Sequence, residues 1–218
     1  SAAAAASDDA LVPEILFNSA AAAYRLGQTG KAALGFLKAA RDYPAFPQSL
    51  KAATLAVQIT SDLHRQAAPD QRSATLKAHL DALETLLTRH PRDPASGYWR
   101  FFYAQALEEA QRYGEAADQY LLVESAHEHA IEAGFLRARC QAKALEGLKN
   151  GDPVEMRRRV TDIVDAVRDF VGKATPALKD DREPARVERL RVLLAEAALL
   201  PAELHLLPAI NKPHDTLE

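Results

Sequence analysis

The chain has few of the residues that define several common protein classes. It contains a single cysteine, so no internal disulfide can form, and a lone thiol favours a reducing compartment such as the cytoplasm. Aromatic residues make up only 6% of the chain, and runs of β-branched residues with period two are missing. No apolar run approaches the roughly 20 residues that a membrane-spanning helix needs. These shortages exclude a disulfide scaffold and predict neither strands nor a membrane span.

Charge and termini give little information about partners. The net charge of −3 is close to neutral and predicts no general affinity for nucleic acid or membranes. Ser1 and the five alanines after it lack the basic start of a signal peptide. They resemble a cloning remnant, as does Leu217–Glu218, and we therefore expect a fragment of a larger protein whose targeting signals lie elsewhere.

Hydrophobic residues, many of them alanine, form 48% of the sequence and recur at helical spacing. About nine apolar stripes predict an all-α fold, with a repeat domain over residues 11–200. Residues 1–10 are expected to form a disordered or cloning-derived tail, and residues 201–218 an irregular tail. Prolines at positions 176 and 184 are expected to flank a charged loop, and Pro201 is expected to break the C-terminal tail into short pieces.

Turn signals separate the stripes. Gly27 is placed to end the first helix in a left-handed cap, and Asp152 followed by Pro153 is typical of a helix start. The sixth helix is expected to run to about Ala126. Short connections make consecutive helices antiparallel, and a row of such hairpins either closes into bundles or stacks into a solenoid.

Two hairpins carry residues at the spacing of a known repeat. The first has Gly27, Ala32, Phe36, Ala39 and Pro44; the second has Trp99, Phe102, Ala116 and Tyr120. In this order the residues resemble the 34-residue tetratricopeptide (TPR) unit, in which a small residue lets two helices approach and an aromatic fills the gap beside it. The resemblance implies a TPR-like α-solenoid that binds other proteins.

Candidate chemistry is sparse, and we predict no catalytic, cofactor-binding or metal site. His127 and His129 point about 200° apart on a helix, and in a loop they would still lack a third metal ligand, so a solvated helix junction is favoured. Cys140 has basic neighbours that could favour a thiolate, but its apolar helical neighbours favour a buried, unreactive thiol.

The fifth stripe concentrates the scarce aromatics. Trp99, Phe102 and Tyr103 fall on its core side, which leaves Tyr98 and Phe101 on another face. The resemblance implies that the first helix of each hairpin lines a concave groove. It puts Tyr98, Phe101, Gln105, Glu108 and Glu109 in that groove, with Phe17, Tyr24 and Arg25 in the first hairpin. The alternative is that Tyr98 and Phe101 pack against the preceding hairpin as core.

The sequence therefore predicts a non-catalytic scaffold that binds a peptide or a partner helix. One alternative is a structural segment that self-assembles, because an acidic middle and a basic end suit head-to-tail contacts. Another is nucleic-acid binding through the arginine-rich helices of residues 153–191. Interleaved acidic residues there favour a salt-bridged surface instead.

Overall fold

The computed structural model describes residues 2–146 and 152–205, with side chains apart from those of residues 2–10, Pro153 and His205. Within these ranges the chain forms nine α-helices and no strand, as its periodicity predicts. The helices are α1 (Ala2–Arg25), α2 (Thr29–Asp42), α3 (Ser49–Arg65), α4 (Arg72–Arg89), α5 (Ser96–Glu109), α6 (Tyr113–Leu121), α7 (Ala130–Glu146), α8 (Pro153–Asp180) and α9 (Pro184–His205).

The chain divides into two compact units, Ser1–Trp99 and Arg100–Glu218, and the division falls within α5. In the first unit α1 packs on α2, α2 on α3 and α3 on α4, and α2 also contacts α4. In the second unit α6 packs on α7, α7 on α8 and α8 on α9, and α7 also contacts α9. Each unit is thus a stack of consecutive helix hairpins, the arrangement of an α-solenoid.

Two hairpins close with the same left-handed cap. Gly27, with φ of 72°, ends α1, and the amide of Gln28 donates to the carbonyl of Ala23 at 2.9 Å. This confirms the cap predicted at Gly27. After α5 the left-handed position is held by Gln111, with φ of 58°, and the amide of Arg112 donates to the carbonyl of Leu107 at 2.9 Å. No glycine marks this second cap in the sequence.

Small residues let the helices approach closely. Ala32, Ala39 and Ala116 are completely buried, as the repeat pattern predicts. Helices α1 and α2 approach closely at Gly35, where an added Cβ would lie 2.9 Å from the Cβ of Ala20. Glycine is favoured at this position because the methyl group of Ala20 leaves no room for a side chain.

Four expected helix boundaries were wrong. Helix α1 begins at Ala2, within the segment for which a tail is expected, and α6 ends at Leu121 rather than near Ala126. Helices α8 and α9 continue through Pro176 and Pro201, so the loop is limited to residues 181–183 and α9 passes the expected domain end. Asn150 and Gly151, which begin the turn predicted before Asp152, and the part of the predicted tail beyond residue 205 lie outside the described residues.

Tertiary packing explains why the prolines do not end their helices. A proline inside a helix removes one backbone hydrogen bond and costs about 3 kcal/mol. Leu200 and Leu204, on either side of Pro201, are both buried, and Phe170 and Ala174 before Pro176 are buried as well. Burial of such side chains contributes about 1.5–3 kcal/mol for each large one, which offsets the cost.

No helix in the described part of the chain is long and apolar enough to cross a lipid bilayer.

Candidate functional site

The predicted groove face of α5 is not a continuous surface, because Phe101 belongs to the core. Only 2% of Phe101 is exposed. Its ring stacks on His129 with centroids 4.3 Å apart and meets Tyr120 edge-on at 5.8 Å. The prediction that Phe101 lies on an open face was wrong. Phe101 is a core residue, but the rings that it contacts on α6 and in the connection after α6 follow it in the chain and do not belong to the preceding hairpin. By contrast Phe102, expected in the core stripe, is only half-buried.

Phe17 repeats this arrangement in the first unit. Its ring is buried and meets Phe36 edge-on at 5.2 Å, as Phe101 meets Tyr120, and the two pairs are separated by the same sequence offset. Phe46, from the connection after α2, covers Phe17 at 6.1 Å. In both hairpins an aromatic ring from the connection to the next helix covers this position. Phe17 is therefore also a core residue, and its predicted place in an open groove was wrong.

The other predicted groove residues remain accessible. Tyr98 is 37% exposed and Tyr24 is 53% exposed. Arg25, Gln105 and Glu109 are exposed as well. Tyr24 and Arg25 lie in the first unit at the end of α1, whereas Gln105 and Glu109 lie in the second unit on α5. Tyr24 and Arg25 thus belong to a polar surface of the first unit, and Gln105 and Glu109 belong to a polar surface of the second.

In the second unit, Glu108 joins α5 to α7 and α9 through a charged network. Its carboxylate accepts a hydrogen bond from Nη2 of Arg139 at 2.8 Å and lies 3.6 Å from Nζ of Lys143. Nη1 of Arg139 donates to Glu196 on α9 at 2.6 Å. The hydroxyl of Tyr120 donates weakly to Glu108 at 3.4 Å. This network is half-buried, and it fixes the relative positions of three helices on one face.

Two adjoining cavities open beside this network, and together we name them the α5–α7–α9 groove. One, of about 380 Å³, is lined by Gln105, Glu108, Glu109, Tyr120, Leu136, Arg139 and Lys143. The other, of about 190 Å³, shares Arg139 and Lys143 and is further lined by Phe135, Ala142, Glu146, Glu196, Leu199, Leu200 and Glu203. The predicted residues Gln105, Glu108 and Glu109 thus line a real concavity, and α7 and α9 supply the rest of it.

Cys140 is fully buried in α7. Burial, together with the nearby charge of Glu108 and against the opposing effect of Arg139, raises the pKa of its thiol to about 12. The thiol is therefore protonated at neutral pH and is a poor nucleophile. This agrees with the interpretation of Cys140 as a core residue.

His129 and Glu132 form a second polar cluster, between α7 and α9. Nδ1 of His129 lies 3.5 Å from Glu132, whose side chain is only 5% exposed, and Nε of Arg189 approaches Glu132 at 3.4 Å. His129 packs under Phe101, so the prediction of a solvated junction was wrong for this residue. Within the described residues, no group of three or more His, Cys, Asp or Glu side chains could hold a metal ion.

The arginines of α8 and α9 other than Arg157 are engaged in ion pairs. Arg158 and Arg159 both donate to Glu155, which lowers the pKa of that carboxyl to about 2. Further pairs join Arg168 to Asp165, Arg186 to Asp181 and Arg191 to Glu188. A cavity of about 380 Å³ between α6, α7 and α8 is lined in part by Glu155 and its two arginines. These side chains satisfy one another, as a salt-bridged surface requires.

A scan against protein-family models finds no match to the chain, and a search of curated proteins finds no similar sequence. The resemblance to TPR units therefore stays a prediction, based on the residues of two hairpins. Those hairpins share a cap geometry and an edge-to-face aromatic pair at a constant sequence offset.

Proposed function

We propose that this chain is a non-catalytic scaffold that binds a peptide or a helix of another protein in the α5–α7–α9 groove. The observation that carries the proposal is the groove itself, in which three helices bring polar, charged and apolar side chains to one open concavity. Shallow sites of this mixed composition suit peptide recognition, whereas small-molecule sites enclose most of their ligand. Burial of the Cys140 thiol supports a role without covalent chemistry.

Site-specific photo-crosslinking tests the proposal. Gln105 is exposed and lines the groove, so a photo-reactive amino acid in its place should capture a partner from an extract of the native host. The same amino acid at Ser125, an exposed position in the connection between α6 and α7, is the matched control. The partner is identified by mass spectrometry, purified and titrated against the unmodified chain.

The proposal requires a partner that is captured at Gln105 and not at Ser125, and that binds in the purified system. It further requires that Lys143→Glu, which reverses a charge within the groove, changes the affinity of this binding. Equal capture at both positions, or unchanged binding by the variant, would argue against the groove as the binding site.

A second candidate is a structural segment that self-assembles. It is favoured by apolar side chains exposed on the first and last described helices: Leu11 and Ile15 on α1 are 52% and 61% exposed, and Val192 on α9 is 51% exposed. Contacts between unlike surfaces of successive copies would produce open assemblies. Light scattering over a range of protein concentrations tests this candidate, and a monomer at every concentration would exclude it.

A further inference from the structure

The α5–α7–α9 groove is acidic. Five carboxylates line it, from Glu108, Glu109, Glu146, Glu196 and Glu203, against two cations, Arg139 and Lys143. The ion pairs of the groove join the cations to Glu108 and Glu196. Within the described residues, no ion pair of Glu146 or Glu203 occurs, and both are exposed. The groove therefore carries an excess of negative charge that its own cations do not neutralise.

Two of the carboxylates lie where a helix dipole disfavours them. Helix α5 ends at Glu109, so Glu108 and Glu109 lie in its last turn. The C-terminal end of a helix carries partial negative charge, so a carboxylate in the last turn is electrostatically unfavourable and a cation is favourable. A positive charge brought into the groove would interact favourably with the carboxylates and with the end of α5.

The floor of the groove is apolar. Phe135, Ala142 and Leu200 are buried beneath it, and Leu199 is 63% exposed beside them. An exposed leucine next to several carboxylates suits a ligand in which an apolar side chain lies close to a positively charged side chain. Lysine and arginine meet both conditions in part, because their long aliphatic stems pack on apolar surface while the charge stays at the end.

We propose that the α5–α7–α9 groove binds a cationic peptide segment, in which lysine or arginine side chains reach Glu146 and Glu203 and an apolar side chain packs on Leu199. This inference rests on the proposed function, since it names the chemistry of the partner at the same site. Charge complementarity of this kind increases the association rate and selects among partners. An acidic segment is disfavoured at this groove by the same charges.

Labelled peptides of defined composition test the proposal. Three short peptides share the same leucines and alanines and carry lysine, serine or glutamate at the remaining positions. Fluorescence anisotropy with the full chain is expected to show binding of the lysine peptide, with an affinity that falls as salt is added. Binding of the serine or the glutamate peptide with equal affinity would overturn the proposal, as would absence of binding by the lysine peptide.

Charge-reversal variants locate the binding. The double variant Glu146→Lys/Glu203→Lys is expected to weaken binding of the lysine peptide by roughly tenfold or more, since two carboxylates of the groove become repulsive. The control Asp118→Lys/Glu124→Lys alters the net charge equally at exposed positions outside the groove. Equal weakening by both double variants would mean attraction by net charge alone and would overturn the proposal. Circular dichroism of each variant verifies that its helix content is unchanged.

Leu199→Ser tests the apolar contact. We expect this variant to lower the affinity for the lysine peptide by roughly threefold to tenfold, because an exposed leucine contributes part of its burial energy when a ligand covers it. Unchanged affinity would remove Leu199 from the site. The crosslinking experiment at Gln105 keeps the two proposals distinguishable: a captured partner without a cationic segment contradicts this inference and leaves the scaffold function standing.

Discussion

Replacement of Phe101 by alanine separates a core role from a surface role for the aromatic cluster of α5. Phe101 is 2% exposed, and its ring contacts His129, Tyr120 and Phe102 at centroid distances between 4.3 and 5.8 Å. Truncation of a buried phenylalanine to alanine costs about 3–5 kcal/mol. Aromatic pairs of this geometry contribute about 0.5–1.5 kcal/mol beyond burial. We therefore expect Phe101→Ala to lower the free energy of unfolding by an amount in the upper part of the range of about 3–5 kcal/mol.

Urea unfolding measures the effect. Trp99 is the only tryptophan and lies in the same helix, so its fluorescence reports on α5, while far-ultraviolet circular dichroism reports on all helices. Phe101→Leu, which keeps much of the volume, is expected to cost about 1–2 kcal/mol. Tyr98→Ala, at a position that is 37% exposed, is expected to cost less than about 1 kcal/mol.

The reasoning is refuted if Phe101→Ala lowers the free energy of unfolding by less than about 1 kcal/mol, because a buried ring cannot be removed so cheaply. Such a result would return Phe101 to the surface and restore a continuous aromatic face on α5. If the large loss is observed, weak partner capture by a Phe101 variant must be attributed to lost stability and not to a lost contact.

Three further substitutions or reactions test other parts of the structure. Gly35→Ala should destabilise the first unit by about 1–3 kcal/mol in thermal unfolding, since the added Cβ would lie 2.9 Å from that of Ala20. The control Gly30→Ala, where nothing lies within 4 Å of the added Cβ, should be neutral or slightly stabilising. Equal effects of the two substitutions would contradict the close helix contact. With a pKa of about 12, a fraction of roughly 10⁻⁴ of the Cys140 thiol is ionised at pH 8. Labelling of Cys140 by a disulfide reagent should therefore be slow in the folded chain and rapid in urea. Fast labelling of the folded chain would disprove burial. Arg139→Met should cost about 1–3 kcal/mol in chemical unfolding, because it leaves two half-buried carboxylates without their shared cation; an unchanged midpoint would mean that this network does not hold the three helices.

The number and type of the helices follow from the sequence. Apolar residues at helical spacing need no tertiary information, because they record which side of each helix is buried. Gly27 and Asp152 mark a cap and a helix start in the sequence, and the structure has both, with Asp152 accepting from the amide of Val154 at 3.1 Å. Buried alanines at positions 32 and 116 were likewise predictable from repeat spacing.

The candidate site was only partly predictable. Gln105, Glu108 and Glu109 were expected on the groove face, and all three line a concavity. The partners on α7 and α9 could not be found, because Arg139 and Glu196 meet Glu108 only through the packing of distant helices. No local pattern in the sequence marks these residues.

The all-α fold, the spacing of the helices and the small residues at close contacts can be predicted from the amino-acid sequence alone, since each depends on neighbours within a few residues. Tertiary structure decided which side chains are surface. Phe101 lies on the edge of its helical stripe, and it is covered by Tyr120 from α6 and by His129 from the connection after α6. Prolines 176 and 201 act locally as helix breakers, yet burial of the residues beside them keeps α8 and α9 continuous. Burial of a side chain is a property of the packed chain, and for this reason the groove became visible only in the folded molecule.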